Sequence, residues 1–353
     1  MIVIIFPHDW PHKSPTLLQL LEDINNSKLQ YELFLPIKAK KYWSFHKAKY
    51  FDISLNVFSR IAIRVLTLFS NFDSFLIKYV AKDILDKEIN IKDGHTLICF
   101  DFFFYRTLLR KYNFKKKYIF STELFLYFKN IFRYLNHEEV LLVTQSKIRA
   151  DFLGFRSSLN LRLVDNIKID REFLPSIKQL NSQNRNGLLY SGTICKELGE
   201  KTIEKLAIDP TRSYRFTIHG DTKINKNQGQ KLDIIKEYLS DLDIRELMLR
   251  SKVGLVLYDF NHISRIRHFN FETGPSGKLL KYILCGLPVI GTECTGLYDV
   301  DKFKAGILLT NPTSKEINAA YQKIIHNYDF YKSGVSKFSS EILNRGKLID
   351  FIK

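Results

Sequence analysis

The sequence has few cysteines, no long apolar run and no repeated or low-complexity segment, and each absence excludes a class of protein. Only four cysteines occur in 353 residues, and no two have the Cys-x-x-Cys spacing of a zinc or redox site. We therefore expect buried or incidental thiols in a reducing compartment. No uncharged apolar stretch approaches the ~20 residues that a membrane-spanning helix needs. The composition predicts a globular cytoplasmic protein without disulfides or a zinc centre.

Positive charge is the abundant feature. The chain has 54 Lys and Arg against 37 Asp and Glu, a formal net charge of +17. Such a surface attracts polyanions, and composition leaves open nucleic acid, an anionic membrane and acidic or phosphorylated substrates. An AT-rich genome is the alternative explanation for part of the lysine content. The basic, aromatic residues 38–50 and the helical pattern at 56–88 are candidates for peripheral contact with the inner face of the plasma membrane. The alternative is that most of the apolar face of 56–88 belongs to the core.

Short apolar runs alternate with helical patterns along the chain, which predicts doubly wound α/β architecture. The first set of predicted strands comprises residues 2–6, 31–37, 96–103, 117–122, 140–145 and 161–165. The second set comprises residues 187–191, 214–218, 253–258, 288–291 and 305–309. We predict a first domain at 1–168, a hinge at 169–186, a second domain at 187–328, and a helical segment at 329–353 that packs back on the first domain.

The strongest local signal is GPSGKLLKYILCGLPV at residues 274–289. A Gly/Pro/Ser loop leads directly into a helix, whose first N–H groups carry a partial charge of about +0.5 e. Ser276 is a candidate N-cap, Gly277 follows it, and Lys278 can reach back towards a phosphate oxygen. The pattern suits a diphosphate, and an ordinary capped helix with a solvated lysine is the alternative.

Three further segments contribute candidate donor-binding residues. LLYSG at 188–192 is a strand ending in a glycine turn, where Gly192 and Thr193 can approach a phosphate and Lys196 can neutralise it. A second strand ends at His219 and Gly220. The insertion HISRIRHFN at 262–270 is expected to be a basic loop, in which Arg265 and Arg267 contact the diphosphate or an acidic sugar. A solvated basic loop is the alternative.

The segment KLLKYILCGLPVIGTECTGLYDV resembles the donor-site signature of GT-B glycosyltransferases, especially family 4, in which a helix ending in Gly precedes Pro-Val-Ile, a polar loop and Gly. Other segments agree in order, namely LRLVDNIKIDREFLP, LLYSGTICKELG, YRFTIHGD and AGILLTNPTSKEINAAYQKI. The likeness covers residues 161–325, and the first domain is matched only by its α/β pattern. It implies a GT-B fold, with two Rossmann-like domains facing across a cleft. The implied reaction moves a sugar from a nucleoside diphosphate sugar on the second domain to an acceptor on the first.

The sequence departs from family 4 at the donor site. The family carries two Glu separated by seven residues, and Lys281 occupies the position of the second, which holds the ribose. Thr273 occupies the first position, so Glu272 contacts the sugar through a shifted loop or the contact is absent. The helix start Ser-x-Lys resembles the xanthan glucuronosyltransferase group. That resemblance implies phosphate contacts from Ser276 and Lys278, with Lys281 facing the ribose or a phosphate. Thr193 replaces the usual Arg of the diphosphate loop.

Three carboxylates near strand ends of the first domain are candidate catalytic bases, with Asp101 first, Glu123 second and Asp9 third. Each could equally be a structural group, and retention of configuration needs no such base. We expect no cofactor and no metal ion, because the helix N-terminus and lysines stabilise the leaving diphosphate.

The implied acceptor is a bacterial surface polysaccharide, a lipopolysaccharide or another lipid-linked glycan. One alternative function is a sugar-nucleotide epimerase of the same fold. The other is a basic nucleic-acid-binding protein, but no zinc finger, ribonucleoprotein motif or helix-turn-helix is recognisable, so we expect no nucleic-acid partner.

Overall fold

The structure, a computed structural model, describes residues 1–7, 11, 14–36, 39–40, 48–51, 93–101, 112–122, 129–134, 140–157, 159–165, 185–220, 222–224, 231–237, 239–344 and 352. The chain divides into two compact units. One is Met1–Lys168 together with Gly346–Lys353, and the other is Ile169–Arg345. Within the described residues, no helix is long and apolar enough to cross a membrane.

The first unit contains a seven-stranded parallel sheet in the order β3-β2-β1-β4-β5-β6-β7. Its strands are β1 Ile2–Ile5, β2 Tyr31–Pro36, β3 Ala48–Phe51, β4 Thr96–Phe100, β5 Lys116–Ser121, β6 Val140–Thr144 and β7 Leu161–Leu163. Its helices within the described residues are α1 Pro15–Asn26 and α2 Lys147–Phe152. Ser14 caps α1, since its hydroxyl accepts from the Leu17 N–H at 3.3 Å and Pro15 follows it. Burial of β1 on both faces explains its continuous apolar sequence.

The second unit contains a six-stranded parallel sheet in the order β10-β9-β8-β11-β12-β13. Its strands are β8 Leu188–Ser191, β9 Phe216–His219, β10 Leu232–Ile235, β11 Val253–Val256, β12 Val289–Thr292 and β13 Gly306–Leu309. In the part of this unit that the structure describes, the helices are α3 Glu200–Ile208, α4 Asp241–Arg250, α5 Arg265–Thr273, α6 Gly277–Leu284, α7 Tyr298–Lys302, α8 Ser314–His326 and α9 Tyr328–Asn344. The strand order reverses between β8 and β11, and in such sheets ligands bind beyond the carboxyl ends of the strands at this reversal.

Helix α6 bridges the reversal point through one tyrosine. The ring of Tyr282 lies over Gly254 in β11, where an added Cβ would come within 2.4 Å of the ring. Its phenol accepts from the Ser191 N–H at 2.9 Å and donates to the Leu189 carbonyl at 3.3 Å. The phenol therefore satisfies backbone groups of β8 at its junction with β11.

We expect Tyr282→Phe to lower the free energy of unfolding by about 1–3 kcal/mol, because the buried Ser191 N–H loses its partner. Urea unfolding monitored by circular dichroism would measure the change. Tyr298→Phe is the matched control, since Tyr298 is 61% exposed and its substitution should cost almost nothing. If the two variants were equally stable, the bridging role of Tyr282 would be wrong.

The structure differs from the sequence prediction in several elements. The predicted basic loop at 262–270 is mostly helix α5, because Phe271 packs edge-on against Tyr258 with 5.6 Å between ring centroids. Strand β10 was not predicted, because it is an edge strand with one buried residue, Leu232. Helix α3 was not predicted either. The predicted helical pattern at 56–88 lies outside the described residues.

The C-terminal residues are shared between the two units. Helix α9 belongs to the second unit, where Phe338 stacks on Phe303 with 5.0 Å between the ring centroids. Ile352 lies in the hydrophobic core of the first unit. Within the segment predicted to pack back on the first domain, the boundary between the two units falls after Arg345.

Candidate functional site

Two glycine turns follow β8 and β9 at the carboxyl edge of the second sheet. Gly192 has φ +132° and Gly220 has φ +145°, a region that side chains other than glycine rarely adopt. The Gly192 N–H donates to the His219 carbonyl at 2.9 Å. A Cβ added to Gly220 would lie 2.2 Å from the Gly192 carbonyl oxygen. The two turns are thus in backbone contact, and only glycine fits at Gly220.

A buried hydrogen bond lies directly behind these turns. The Ser191 Oγ and the His219 Nδ1 are 2.8 Å apart, and His219 is 8% exposed. Burial lowers the pKa of the His219 ring, although a hydrogen bond to the Glu237 backbone opposes the shift. His219 was predicted to contact the nucleotide-sugar donor. In the structure its ring is neutral and buried behind the turn.

Lys278, in the first turn of α6, extends over the Gly192 turn. A Cβ added to Gly192 would lie 2.7 Å from the Lys278 Cε. The Lys278 Nζ donates to the Tyr190 hydroxyl at 2.9 Å and lies 4.3 Å from the centroid of that ring. The Tyr190 hydroxyl in turn donates to the Thr193 carbonyl at 2.6 Å. The lysine is thereby connected to the turn that was predicted to face a phosphate.

The charge of Lys278 is only partly compensated within the described part of the chain. Among those residues, no carboxylate lies within ion-pair distance of its Nζ, and its polar partner is the neutral Tyr190. Burial lowers the pKa of Lys278 to about 8. A half-buried ammonium group in this environment is stabilised by an anion, because the anion replaces the charge stabilisation that water gives an exposed lysine.

The N-terminus of α6 lies beside Lys278 and lacks a side-chain cap. Ser276 occupies the N-cap position as predicted, but its hydroxyl accepts no hydrogen bond from the helix. The Ser276 side chain instead bonds to the phenol of Tyr258, whose pKa burial raises to about 12. Gly277 is the first helical residue. Gly274 packs closely on Gly296, since a Cβ added to Gly296 would lie 2.3 Å from the Gly274 carbonyl oxygen. Among the described residues, no side chain caps the first-turn N–H groups, as an anion site requires.

The remaining predicted cations are exposed. Lys196 is exposed at the start of a 3₁₀ turn, Lys196–Leu198, and Thr193 is also exposed. On α5, Arg265 and Arg267 are both exposed, and the Arg267 guanidinium lies 5.0 Å from the Phe271 ring centroid.

Two predicted contacts are engaged with other side chains. The Lys281 Nζ is 3.4 Å from the Asp241 Oδ1 at the start of α4. The Glu272 Oε2 is 3.5 Å from the His268 Nδ1 one turn earlier in α5. Both pairs are exposed, so each costs little to open when a ligand competes for one partner.

Asp101, the first candidate base, is 0% exposed at the end of β4 and has φ +56°. Its carboxylate accepts from the Thr122 N–H at 3.0 Å and from the Thr122 hydroxyl at 3.4 Å. The Thr122 carbonyl accepts from the guanidinium of the buried Arg149 at 3.0 Å. Asp101 thus belongs to a buried polar cluster that joins β4, β5 and α2. Glu123 and Asp9 lie outside the described residues.

Sequence reasoning missed three residues of the site, namely Tyr190, Ser191 and Tyr258. All three lie at or just past a strand end. Tyr190 and Ser191 lie within LLYSG, of which only the glycine was predicted to belong to the site. The available signal was the position of polar groups at the carboxyl ends of adjacent parallel strands, which converge at one edge of the sheet.

No protein-family model and no curated protein matches this sequence. Solved structures do match over almost the whole chain. A trehalose-6-phosphate protein from E. coli bound with UDP-2-fluoro glucose is 13% identical with a TM-score of 0.63, covering 99% of this chain and 98% of that chain. Anabaena Alr3699/HepE in complex with UDP and glucose is 12% identical with a TM-score of 0.59, covering 99% and 96%. WaaG, a glycosyltransferase involved in lipopolysaccharide biosynthesis, is 12% identical with a TM-score of 0.53, covering 98% and 95%.

The neighbours are GT-B glycosyltransferases, and both units of this chain have the parallel α/β sheets of that architecture. The chain therefore has the two-domain, Rossmann-like GT-B fold.

Proposed function

We propose that this chain is a glycosyltransferase that takes its sugar from a nucleoside diphosphate sugar bound at the carboxyl edge of the second sheet. The observation that carries the proposal is Lys278, a half-buried cation with a lowered pKa beside an uncapped helix N-terminus and the Gly192 turn. Each of these three groups favours an anion, and together they suit two adjacent phosphates. Structural neighbours that bind UDP-2-fluoro glucose, or UDP and glucose, support the same ligand class.

The chemistry follows from the charge that develops on the leaving group. As the bond from sugar to phosphate breaks, negative charge grows on the diphosphate. In this proposal, the N–H groups at Gly277 and Lys278 and the Lys278 ammonium stabilise that charge. We propose that these groups suffice without a metal ion. Lys196 is then an outer phosphate contact, and the exposed Arg265 and Arg267 on α5 are proposed to contact the diphosphate or an acidic donor sugar.

The ribose contact is proposed to differ from that of family 4. Lys281 stands where that family has a carboxylate, and it is paired with Asp241. The resemblance to the xanthan glucuronosyltransferase group supports phosphate contacts from Ser276 and Lys278. In this structure the Ser276 hydroxyl is bonded to Tyr258, so Ser276 would act through its backbone or by changing partner.

The acceptor is proposed to be a bacterial surface polysaccharide, a lipopolysaccharide or another lipid-linked glycan. The net charge of +17 favours an anionic membrane surface near such an acceptor, and WaaG is a structural neighbour with a role in lipopolysaccharide biosynthesis. Asp101 is a weak candidate for the base, because its carboxylate is buried and hydrogen-bonded to Thr122. The alternatives are a retaining reaction, which needs no base, or a base at Asp9 or Glu123, both of which lie outside the described residues.

A donor panel tests the proposal. The protein is incubated with UDP-, GDP-, CDP- and ADP-sugars, with and without a bacterial lipid extract, and nucleoside diphosphate release is followed by ³¹P NMR. We expect release from one donor class, faster with the extract and unchanged by EDTA. Conversion of the sugar without release would favour the epimerase alternative. No reaction and no binding across the panel would contradict the proposed function.

A further inference from the structure

The last paired residues of β8 and β9 are Ser191 and His219, which are partners in the parallel register. Their side chains point to the same face of the sheet, which is why the Ser191 Oγ and the His219 Nδ1 are only 2.8 Å apart. Both residues are buried. Immediately after them, the two chains turn at Gly192 and Gly220. The bond is thus the last side-chain connection before the turns of the candidate site.

One tautomer of His219 satisfies both of its partners. Burial lowers the pKa of the ring, so it is neutral at physiological pH and has one donor and one acceptor. A hydrogen bond with the Glu237 backbone opposes that shift, which is the effect of a carbonyl that accepts from the ring N–H. We assign the ring proton to Nε2, which leaves Nδ1 to accept from the Ser191 hydroxyl.

The bond acts on the Gly192 turn through the backbone. The Gly192 N–H donates to the carbonyl of His219 itself, and the Gly192 carbonyl lies against Gly220. On its other side, Gly192 lies under the alkyl chain of Lys278. A shift of His219 or Ser191 would therefore move the turn relative to Lys278. The His219 ring is buried behind the turn, so it supports the turn on the side that faces the sheet.

We propose that the Ser191–His219 hydrogen bond positions the Gly192 turn against Lys278 in the arrangement that binds a nucleoside diphosphate. His219 is then a positioning residue that supports the ligand site without touching the ligand. The inference rests on the proposed function, because it names a role in that same phosphate site.

Two substitutions of His219 separate its two hydrogen bonds. His219→Asn places an amide oxygen near the position of Nδ1, so it keeps an acceptor for Ser191 and loses the bond to Glu237. His219→Gln places its amide nitrogen near Nε2, so it keeps a donor for Glu237 and loses the acceptor for Ser191. Ser191→Ala removes the same bond from the other side, and the double variant Ser191→Ala/His219→Gln closes a double-mutant cycle.

Two readouts are compared across these variants. The first is the dissociation constant of the nucleoside diphosphate that binds the wild type most tightly, chosen from UDP, GDP, CDP and ADP. The second is amide hydrogen exchange at Gly192 without nucleotide. We expect His219→Gln and Ser191→Ala to weaken binding roughly tenfold, and the double variant to lose no more than either single variant. Exchange at Gly192 should be faster in all three. His219→Asn should lower the melting temperature but keep affinity and exchange near the wild-type values.

The possible outcomes separate this inference from the proposed function. If the wild type binds nucleotide but His219→Asn and His219→Gln weaken it equally, the inference is wrong and the function stands. The inference is also wrong, and the function stands, if loss of the Ser191–His219 bond speeds amide exchange at Gly192 but leaves nucleotide affinity unchanged. If the wild type binds none of the four nucleotides, the proposed function is wrong and this inference falls with it.

Discussion

Replacing Lys278 by methionine is expected to weaken nucleoside diphosphate binding by roughly 10- to 150-fold, the cost of losing one charge-assisted hydrogen bond to a phosphate. Methionine retains the alkyl length that covers Gly192 and removes the ammonium group. Binding is measured by titration calorimetry with the nucleotide that the wild type prefers.

The same substitution should leave the thermal stability of the nucleotide-free protein unchanged or raised. The folded pKa of Lys278 is about 8, below the ordinary value of 10.5. The unfolded chain therefore binds more protons between these values, and stability rises with pH across that window. At pH 7 the charged lysine opposes folding relative to a neutral side chain of similar shape. Loss of binding with retained stability is the pattern of a site maintained for its ligand rather than for the fold.

Lys252→Met is the matched control. The Lys252 Nζ lies 4.8 Å from the ring centroid of Tyr328, so it too is a lysine packed on a tyrosine. It precedes β11 and thus stands at the amino edge of the same sheet, away from the glycine turns. We expect its nucleotide affinity to match the wild type. Equal loss of affinity in both variants would show that Lys278 acts through general surface charge.

Gly220→Ala is expected to disrupt the second unit and its ligand site together. The backbone at φ +145° costs a non-glycine residue about 1–3 kcal/mol. The new methyl group would also lie 2.2 Å from the Gly192 carbonyl oxygen, and a backbone atom cannot rotate away as a side chain can. The Gly192 turn must then move from beneath Lys278. We expect a melting temperature lower by several degrees and a nucleotide affinity weakened at least tenfold.

Gly94→Ala controls for backbone strain alone. Gly94 has φ +81°, and no atom lies within 4 Å of a Cβ added there. It precedes β4 in the first unit, so its substitution should lower stability modestly and leave nucleotide affinity unchanged. If Gly220→Ala and Gly94→Ala bound nucleotide with equal affinity, the packed arrangement of the two turns would be wrong.

Helix α6 shows why part of the site was predictable from sequence. The Gly/Pro/Ser loop, the N-cap position at Ser276 and the amphipathic run to Leu284 are local signals, and the structure has a helix there, at Gly277–Leu284. The two-domain GT-B fold was predicted from the alternation of strands and helices together with the resemblance, and it is confirmed. Buried strands such as β8 and β11 carry continuous apolar sequence because both faces are covered.

Other features depended on contacts between distant residues. The Lys278–Tyr190 hydrogen bond joins residues 88 positions apart, so no spacing rule could reveal it. Likewise, Lys281 turns to Asp241, 40 positions away. Helix α5 was interpreted as a loop because its basic residues dominate the local pattern, whereas aromatic packing between Phe271 and Tyr258 determines its position.

The central claim is that Lys278 binds the diphosphate of a nucleotide. It is tested most directly by measuring the protons that the protein takes up on binding. UDP, GDP, CDP and ADP are each titrated into the protein at pH 8 in HEPES and in Tris, whose ionisation enthalpies differ. Because half of the Lys278 side chains are uncharged near pH 8, an anion that restores the ammonium form draws in up to about half a proton per bound nucleotide. We predict this uptake for at least one nucleotide and its disappearance in Lys278→Met. Binding without proton uptake, or no binding of any of the four at millimolar concentration, would contradict the claim.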